Sequence, residues 1–423
     1  MMRLRPKPPR ILSSQAMATV ILPHSHLADL WPASLKGARV GAVVHPASIL
    51  PDFTHLADVL KRPGNPWELA ALFGPQHGIL GHTQDNMIEW ESEPDPRWGV
   101  PVHSLYGKVR KPTPAMLDGL DALVIDLQDV GARYYTFIWT MLLCMEAAWE
   151  KGIAVVVLDR PNPLGGALVE GPTLDEDYKS FVGLHTVPVR HGLTMGEMAT
   201  LLVAEKYPGL KLHVLPMDGW TRDMLWEDTD LPWVLPSPNM PTPDTARVYP
   251  GMCLLEACTP SEGRGTTRPF EIFGAPWIDA AKLKSDLDSL DLPGTVFREL
   301  GFQPTFHKGV GRLCGGVQIH VFDPDAFCPV LTGFASMWAM RRQGSLADPV
   351  AIDPLDPRNL PDVFGWKAPP YEYETVKLPI DILAGHSRWR EMLEAGKSPW
   401  QLAAAWEADE EAWLERREPF LLY

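Results

Sequence analysis

Residues 122–135 read ALVIDLQDVGARYY. Four consecutive apolar residues, Ala122 to Ile125, run straight into Asp126 and a glycine-containing turn. A half-exposed strand would alternate apolar with polar residues, so a continuous apolar run of this length predicts a strand buried on both faces, as in a parallel sheet. The same form recurs outward in both directions, in RVGAVVHPAS (39–48), LAALFGPQHG (69–78), IAVVVLDRPNPL (153–164) and LKLHVLPM (210–217). Helical segments lie between these runs. One is FIWTMLLCMEAAWE (137–150); another, within 192–206, is opened by Thr194 with Glu197 three residues on, a capping-box pair. Strands alternating with helices predict a doubly wound parallel α/β domain.

In such sheets ligands bind outside the carboxyl ends of the strands. Those ends gather His45, Gln76 and His77, Asp126 and Asp129, Asp159 and Asn162. Any one aspartate or asparagine equally suits a helix cap; four ends behaving alike favour a site. The chain has no GxGxxG after its first strand and no GxxxxGK[ST], and GVGRLCGG (309–316) has the wrong glycine spacing, so no nucleotide cofactor is expected. The 13 histidines show no HExxH or clustered spacing, and no metal is expected.

A chain of 423 residues is too long for one ordinary core, which makes two domains the natural expectation. Hydrophobic residues make up 45%, so 43 prolines predict ordered loops rather than disorder. A net charge of −15 argues against nucleic acid and anionic membranes as partners. An anionic ligand would need a local arginine cluster. Cys144, Cys253, Cys258, Cys314 and Cys328 form no CxxC pair, and an odd total supports neither a zinc ribbon nor a disulfide framework. No run approaches the ~18 apolar residues of a membrane span. The N-terminus has a basic start without a continuous apolar stretch behind it, so it reads as a disordered leader or as sequence ahead of a true start at Met17, and a cytoplasmic protein is expected.

On this reading residues 1–35 are a poorly ordered leader, 36–277 a Rossmann-like catalytic domain and 278–423 a smaller α+β domain. The second domain carries a strand in CGGVQIHVFD, with alternating Val317, Ile319 and Val321, and a last helix 399–417 that Ser398 caps with Pro399 at its first position. Residues 231–277 read as a long irregular segment. Within it, TPSEGRGTTRPFEIFGAP (259–276) crowds Glu262, Glu271, Arg264 and Arg268 around three glycines. Such a loop is either a structural ion-pair network or a device that holds a polar ligand; Gly263 and Gly265 favour the second by allowing backbone to approach a ligand.

Several phrases together are more specific than any pattern: FGPQHGILG (73–81), VHSLYGKVRKPTPAML (102–117), DLQDVGARYYTF (126–137), VVLDRPNPLGG (157–166), VPVRHGLTMGE (187–197), LPWVLPSPNMPTPDTARVYPG (231–251) and LLEACTPSEGRGTTRPFEIFGAPW (254–277). In this order, and from about Lys36 to the closing RREPFLLY, the chain resembles the exo-lytic β-N-acetylmuramidases, glycoside hydrolase family 171. The resemblance implies a Rossmann-like domain joined to a smaller auxiliary domain across a cleft. It also implies removal of N-acetylmuramic acid from the non-reducing end of peptidoglycan fragments, a sugar substrate rather than a macromolecular partner. Nothing in the chain specifies an oligomeric state.

One departure matters. Family members typically read GPEHG where this chain reads GPQHG, and Gln76 cannot give or take a proton, whereas a glycosidase normally needs two carboxyls flanking the bond. Either another acid has taken the role, or the chain is a weakly active or purely sugar-binding homologue. The following segment GHTQDNMIEWESE (81–93) brings Asp85, Glu89 and Glu91 close in sequence to the vacancy. Glu89 is the first candidate acid and Asp126 the reserve; Glu262 is a candidate second carboxylate, and His77 adjoins them. Arg264 or Arg268 suits the lactyl carboxylate of muramic acid, which a guanidinium pairs bidentately. Asp129, Arg133, Tyr134, Asn162, His191 and Asn239 stand in the matched phrases as substrate-binding candidates. For Asp129 helix capping, for His191 a structural hydrogen bond and for Tyr134, Tyr135 and Trp277 core packing remain open alternatives.

Overall fold

The computed structural model describes residues 20–84, 88–91, 96–352 and 360–423. Strands β1 (Ala38–Val43), β2 (Trp67–Gly74), β3 (Val102–Ser104), β4 (Ala122–Ile125), β5 (Ala154–Leu158) and, after the small antiparallel pair β6 (Glu170–Thr173) and β7 (Pro188–Arg190), β8 (Leu212–Leu215) account for the first half. Six of them form one sheet in the order β3-β2-β1-β4-β5-β8, and every neighbouring pair is parallel. The continuous apolar runs have the predicted cause. Val43, Phe73, Leu123, Ile125, Val155 and Val157 point into one core with the helices Phe137–Lys151 and Met195–Lys206; their neighbours Ala42, Leu72, Val124, Val156 and Leu158 point into a second core on the opposite face. Alternate residues of one strand thus serve two interiors.

The second core corrects the expectation of a poorly ordered segment as far as residue 35. Leu27, Trp31 and Leu35 cover that face of the sheet, while Val20 and Leu22 pack with Trp220 and Trp226. Residues 20–35 are therefore structural, and only 1–19 of the stretch read as a leader lie outside the described residues.

The second half is built on β9 (Ile272–Ala275), β10 (Thr295–Phe302) and β11 (Cys314–Val321), an antiparallel sheet in the order β10-β11-β9. Val317 and Ile319 are buried as their alternation predicts. β9 precedes residue 277, so the sheet of the second half begins earlier than the boundary placed there. The segment 231–277 is also less irregular than its composition implies. Thr242 caps the helix Pro243–Met252 by accepting from the Thr245 N–H, and this helix crosses the helix Pro329–Arg341 so closely that a Cβ on Gly251 would stand 1.7 Å from the Pro329 carbonyl oxygen.

The capping box at Thr194–Glu197 forms as read, and Ser398 caps its helix as read, in a box completed by Gln401. The helix Pro399–Arg417 then binds the two halves together: Glu410 accepts from the Gly171 N–H at 2.7 Å, and Arg417 donates to the carbonyls of Gly166 and Gly192 at 2.9 and 2.8 Å. Among the described residues no helix is long and apolar enough to cross a membrane.

Candidate active site

The strand order reverses between β1 and β4, which is where a doubly wound sheet opens a crevice for ligands. Here side chains fill it. Asp126, at the end of β4, accepts from Arg160 through both carboxylate oxygens and from His24 Nε2 at 2.8 Å, and Ser48 bridges His45 to the Asp126 carbonyl. Burial alone would raise the Asp126 pKa, but Arg160 and His24 outweigh it and hold the carboxyl well below the usual range. Burial in turn keeps His24 neutral-favouring and lowers His45 to about 3. This is a closed ion-pair core, and it corrects Asp126 as a catalytic candidate: no open face remains on the carboxylate.

The cleft lies beside the plug, over the end of β2. It encloses about 550 Å³ of unfilled space, mouth included. Its floor is Gln76 and His77 from the turn after β2, together with Tyr134, Tyr135 and Thr136 from the loop after β4; its other wall brings Asn239, Tyr249, Glu256, Arg264, Tyr371 and Glu372 from the second half of the chain. Gln76 accepts from the Thr136 hydroxyl at 2.7 Å. His77, at a left-handed φ of 69°, donates from Nδ1 to the Thr83 carbonyl at 2.7 Å. Asn239 donates to the Gln84 carbonyl at 2.7 Å. Tyr134 both lines the cleft and donates to the Pro250 carbonyl.

Four site candidates named from the sequence therefore meet in one place with Gln76: His77, Tyr134, Asn239 and Arg264. The others fall elsewhere. Glu89 is half exposed, takes hydrogen bonds from Arg110 at 3.3 Å and from the Tyr373 hydroxyl at 2.5 Å, and does not line the cleft. Asp85 lies outside the described residues. Glu262 is fully buried on Lys308 at 2.7 Å, with His307 at 3.2 Å and Arg264 at 3.8 Å; burial opposes its ionisation, and these neighbours, Lys308 first, outweigh that and hold its pKa well below the usual range. It is the counter-ion of a structural network rather than a second carboxylate facing sugar. Arg268 pairs with Glu271 at 3.2 Å beyond the cleft.

Asp129 accepts from the Gly131 N–H at 2.7 Å and faces His191 Nε2 at 3.3 Å, while His191 Nδ1 accepts from the Leu193 N–H. Asn162 clamps the same turn, donating to the Leu193 carbonyl and accepting from the Leu164 N–H. Arg133 is fully buried and donates to three carbonyls, those of Pro172, Val187 and Leu383. All four corrections have one physical reason: a loop carrying exposed-looking polar residues is itself buried, so its side chains satisfy backbone groups that water cannot reach.

Two carboxylates of the cleft escaped sequence reasoning. Glu256 accepts from Arg264 at 2.6 Å and from the Tyr371 hydroxyl at 2.9 Å. Glu372 is 5% exposed and takes the Tyr106 hydroxyl at 3.1 Å from each oxygen. Its pKa is pushed up to about 7, first by burial and then by the charge of Glu256, against the Tyr106 hydrogen bond and the positive charges of Arg110 and Lys367. The available signal was PPYEYE (369–374), a proline pair followed by tyrosines and glutamates in an alternation too short to predict a strand. Among the described residues no group of three or more His, Cys, Asp and Glu is arranged to hold a metal ion.

Comparison with known proteins gives a consistent result. The chain is 43% identical over 395 residues to the peptidoglycan beta-N-acetylmuramidase NamZ of Bacillus subtilis (strain 168), covering 93% of this chain and 89% of that protein. Among solved structures, a DUF1343 family protein from Bacteroides fragilis NCTC 9343 is 32% identical with a TM-score of 0.81, covering 96% of this chain and 99% of the other; a second from the same organism is 27% identical with a TM-score of 0.71 and the same coverage. Family profiles described as exo-beta-N-acetylmuramidase NamZ, N-terminal and C-terminal, match residues 40–244 and 247–423. With both halves matched in order along nearly its whole length, the chain belongs to the exo-β-N-acetylmuramidase family.

Proposed function

We infer that this chain is an exo-acting glycosidase that releases β-linked N-acetylmuramic acid from the non-reducing end of peptidoglycan fragments, in cell-wall recycling or turnover. The observation that carries the reading is the cleft itself: two buried glutamates, Glu256 and Glu372, stand with Arg264 among tyrosines in a member of a muramidase family. Carboxyls in unlike surroundings are what acid-catalysed glycoside cleavage requires. Tyr134, Tyr135 and Tyr249 line the cleft as a packed aromatic wall for a pyranose ring, Asn239 supplies an amide for its hydroxyl or acetamido groups, and Arg264 a planar fork for the lactyl carboxylate. A non-catalytic homologue was the alternative raised by Gln76, and it loses its ground where other acids occupy the same cleft. The five free thiols fit a cytoplasmic location.

A matched pair of aryl glycosides tests the reading. The chain is expected to release the chromophore from the β-N-acetylmuraminide and not from the β-N-acetylglucosaminide. Release from neither, or from the glucosaminide alone, contradicts it.

A further inference from the structure

Gln76 leaves the question of which group protonates the departing sugar oxygen. We propose that Glu372 is that acid, delivered into the cleft by a strained tight turn at 371–374; this rests on the glycosidase reading above.

Two glutamates line the cleft, and their surroundings divide the work. Glu256 is engaged on both oxygens, by the Arg264 guanidinium and the Tyr371 hydroxyl, so it serves as a counter-ion. Glu372 has a hydroxyl as its direct partner, Tyr106, and the remaining charged groups around it act from farther off. Arg110 is held by the Gly107 carbonyl, Glu89 and Tyr373, and Lys367 lies 5.2 Å above the Tyr371 ring. Burial and the Glu256 charge favour its protonated form near neutral pH, which is the form a general acid needs.

The backbone carries the second argument. Tyr371 and Glu374 exchange both of their backbone hydrogen bonds, at 2.9 Å each, which closes a two-residue turn. The two central residues, Glu372 and Tyr373, both take left-handed φ values, 44° and 69°. Such turns normally carry asparagine and glycine, because side-chain-bearing residues are disfavoured there. Here the first central residue places a carboxyl in the cleft. The second reaches back over Glu89 and Arg110, whose guanidinium stacks 3.9 Å from the Tyr106 ring. The turn, Glu89, Arg110 and Tyr106 form one connected support for the acid. Glu89 thus belongs to the apparatus as a positioning residue, although it does not touch the cleft.

Over one turnover the bond from C1 to the leaving oxygen breaks with its electron pair on that oxygen, which takes the proton of Glu372. Water supplies a hydroxyl to C1, and its remaining proton restores the carboxylic acid. One water is consumed per bond cleaved.

The test compares two substrates in Glu372→Gln, the disaccharide N-acetylmuramyl-β-1,4-N-acetylglucosamine and the 4-nitrophenyl β-N-acetylmuraminide, whose leaving group needs little protonation. Turnover of the disaccharide is expected to fall about 10²–10⁴-fold, and that of the aryl glycoside by less than about tenfold. Wild-type activity on the disaccharide is expected to fall as pH rises through about 7, and this alkaline limb to disappear in Glu372→Gln. Tyr106→Phe provides an independent variant: losing the hydrogen bond that stabilises the ionised carboxylate moves the limb to higher pH. An active wild type whose substrate ratio is unchanged in Glu372→Gln, or whose limb stays fixed in Tyr106→Phe, overturns the assignment of the acid alone. A wild type inactive on both substrates overturns the glycosidase reading, and the acid with it.

Discussion

Arg264 and Arg268 stand one helical turn apart in sequence on the same loop, yet only Arg264 lines the cleft, while Arg268 pairs with Glu271 beyond it. If Arg264 receives the lactyl carboxylate, Arg264→Lys keeps a charge beside Glu256 but loses the planar fork. Binding of N-acetylmuramic acid should then weaken by about 1.5–3 kcal/mol, with N-acetylglucosamine little affected, because a charge-assisted hydrogen bond is worth about that much. Arg268→Ala should not discriminate between the sugars. Calorimetric titration of both variants with both sugars measures this, and equal losses in Arg264→Lys would remove the assignment. Asp126 belongs to a different account. Removing one member of a buried ion pair strands the other, so Asp126→Ala should cost about 3–5 kcal/mol in denaturant unfolding by leaving Arg160 uncompensated. The sign of its pH dependence follows from a depressed folded pKa: the contribution is complete above about pH 4 and is lost as pH falls through the folded value.

At the scale of elements, the crossing of the helices Pro243–Met252 and Pro329–Arg341 depends on two glycines that meet backbone to backbone. A Cβ at Gly251 would stand 1.7 Å from the Pro329 oxygen, and one at Gly333 2.2 Å from the Gly251 oxygen. Because backbone cannot yield as a side-chain tip can, Gly251→Ala and Gly333→Ala should each destabilise by about 1–3 kcal/mol or more. The wall carrying Glu256 should loosen with them, since the 3-10 turn Cys253–Ala257 continues directly from the first helix. Thermal unfolding reads the first effect, and KM for the disaccharide the second. This crossing was not legible in the sequence, where prolines at 241, 243 and 250 disguise a helix as an irregular segment. The central strands β4 and β5 were legible because each is apolar without interruption, and the capped helices because their caps are local; the three-residue β3 was not legible. Antiparallel strand β10 was missed. Of its TVFRELGF only Thr295, Phe297 and Phe302 are buried, too few to show a period, although it pairs with β11, the next strand along the chain. The site suffered in the same way: Gln76, His77 and Arg264 stand in recognisable phrases, while Glu372 owes its place to a turn more than a hundred residues from any of them.

At the scale of the whole molecule, neither half owns the cleft. Gln76, Tyr134 and Tyr135 come from the part matched by the N-terminal profile, and Glu256, Arg264 and Glu372 from the part matched by the C-terminal one. Residues 20–246 and 247–423 produced separately should each fail to cleave the disaccharide, and turnover by either half alone would place the chemistry outside the cleft described here. Removal of a terminal N-acetylmuramic acid is read out by product analysis. Glycan strands that carry N-acetylmuramic acid at the non-reducing end, incubated with the full chain and resolved by mass spectrometry, should yield free N-acetylmuramic acid and strands shortened by that one residue. Fragments from internal cleavage, release of N-acetylglucosamine first, or unchanged strands would contradict it.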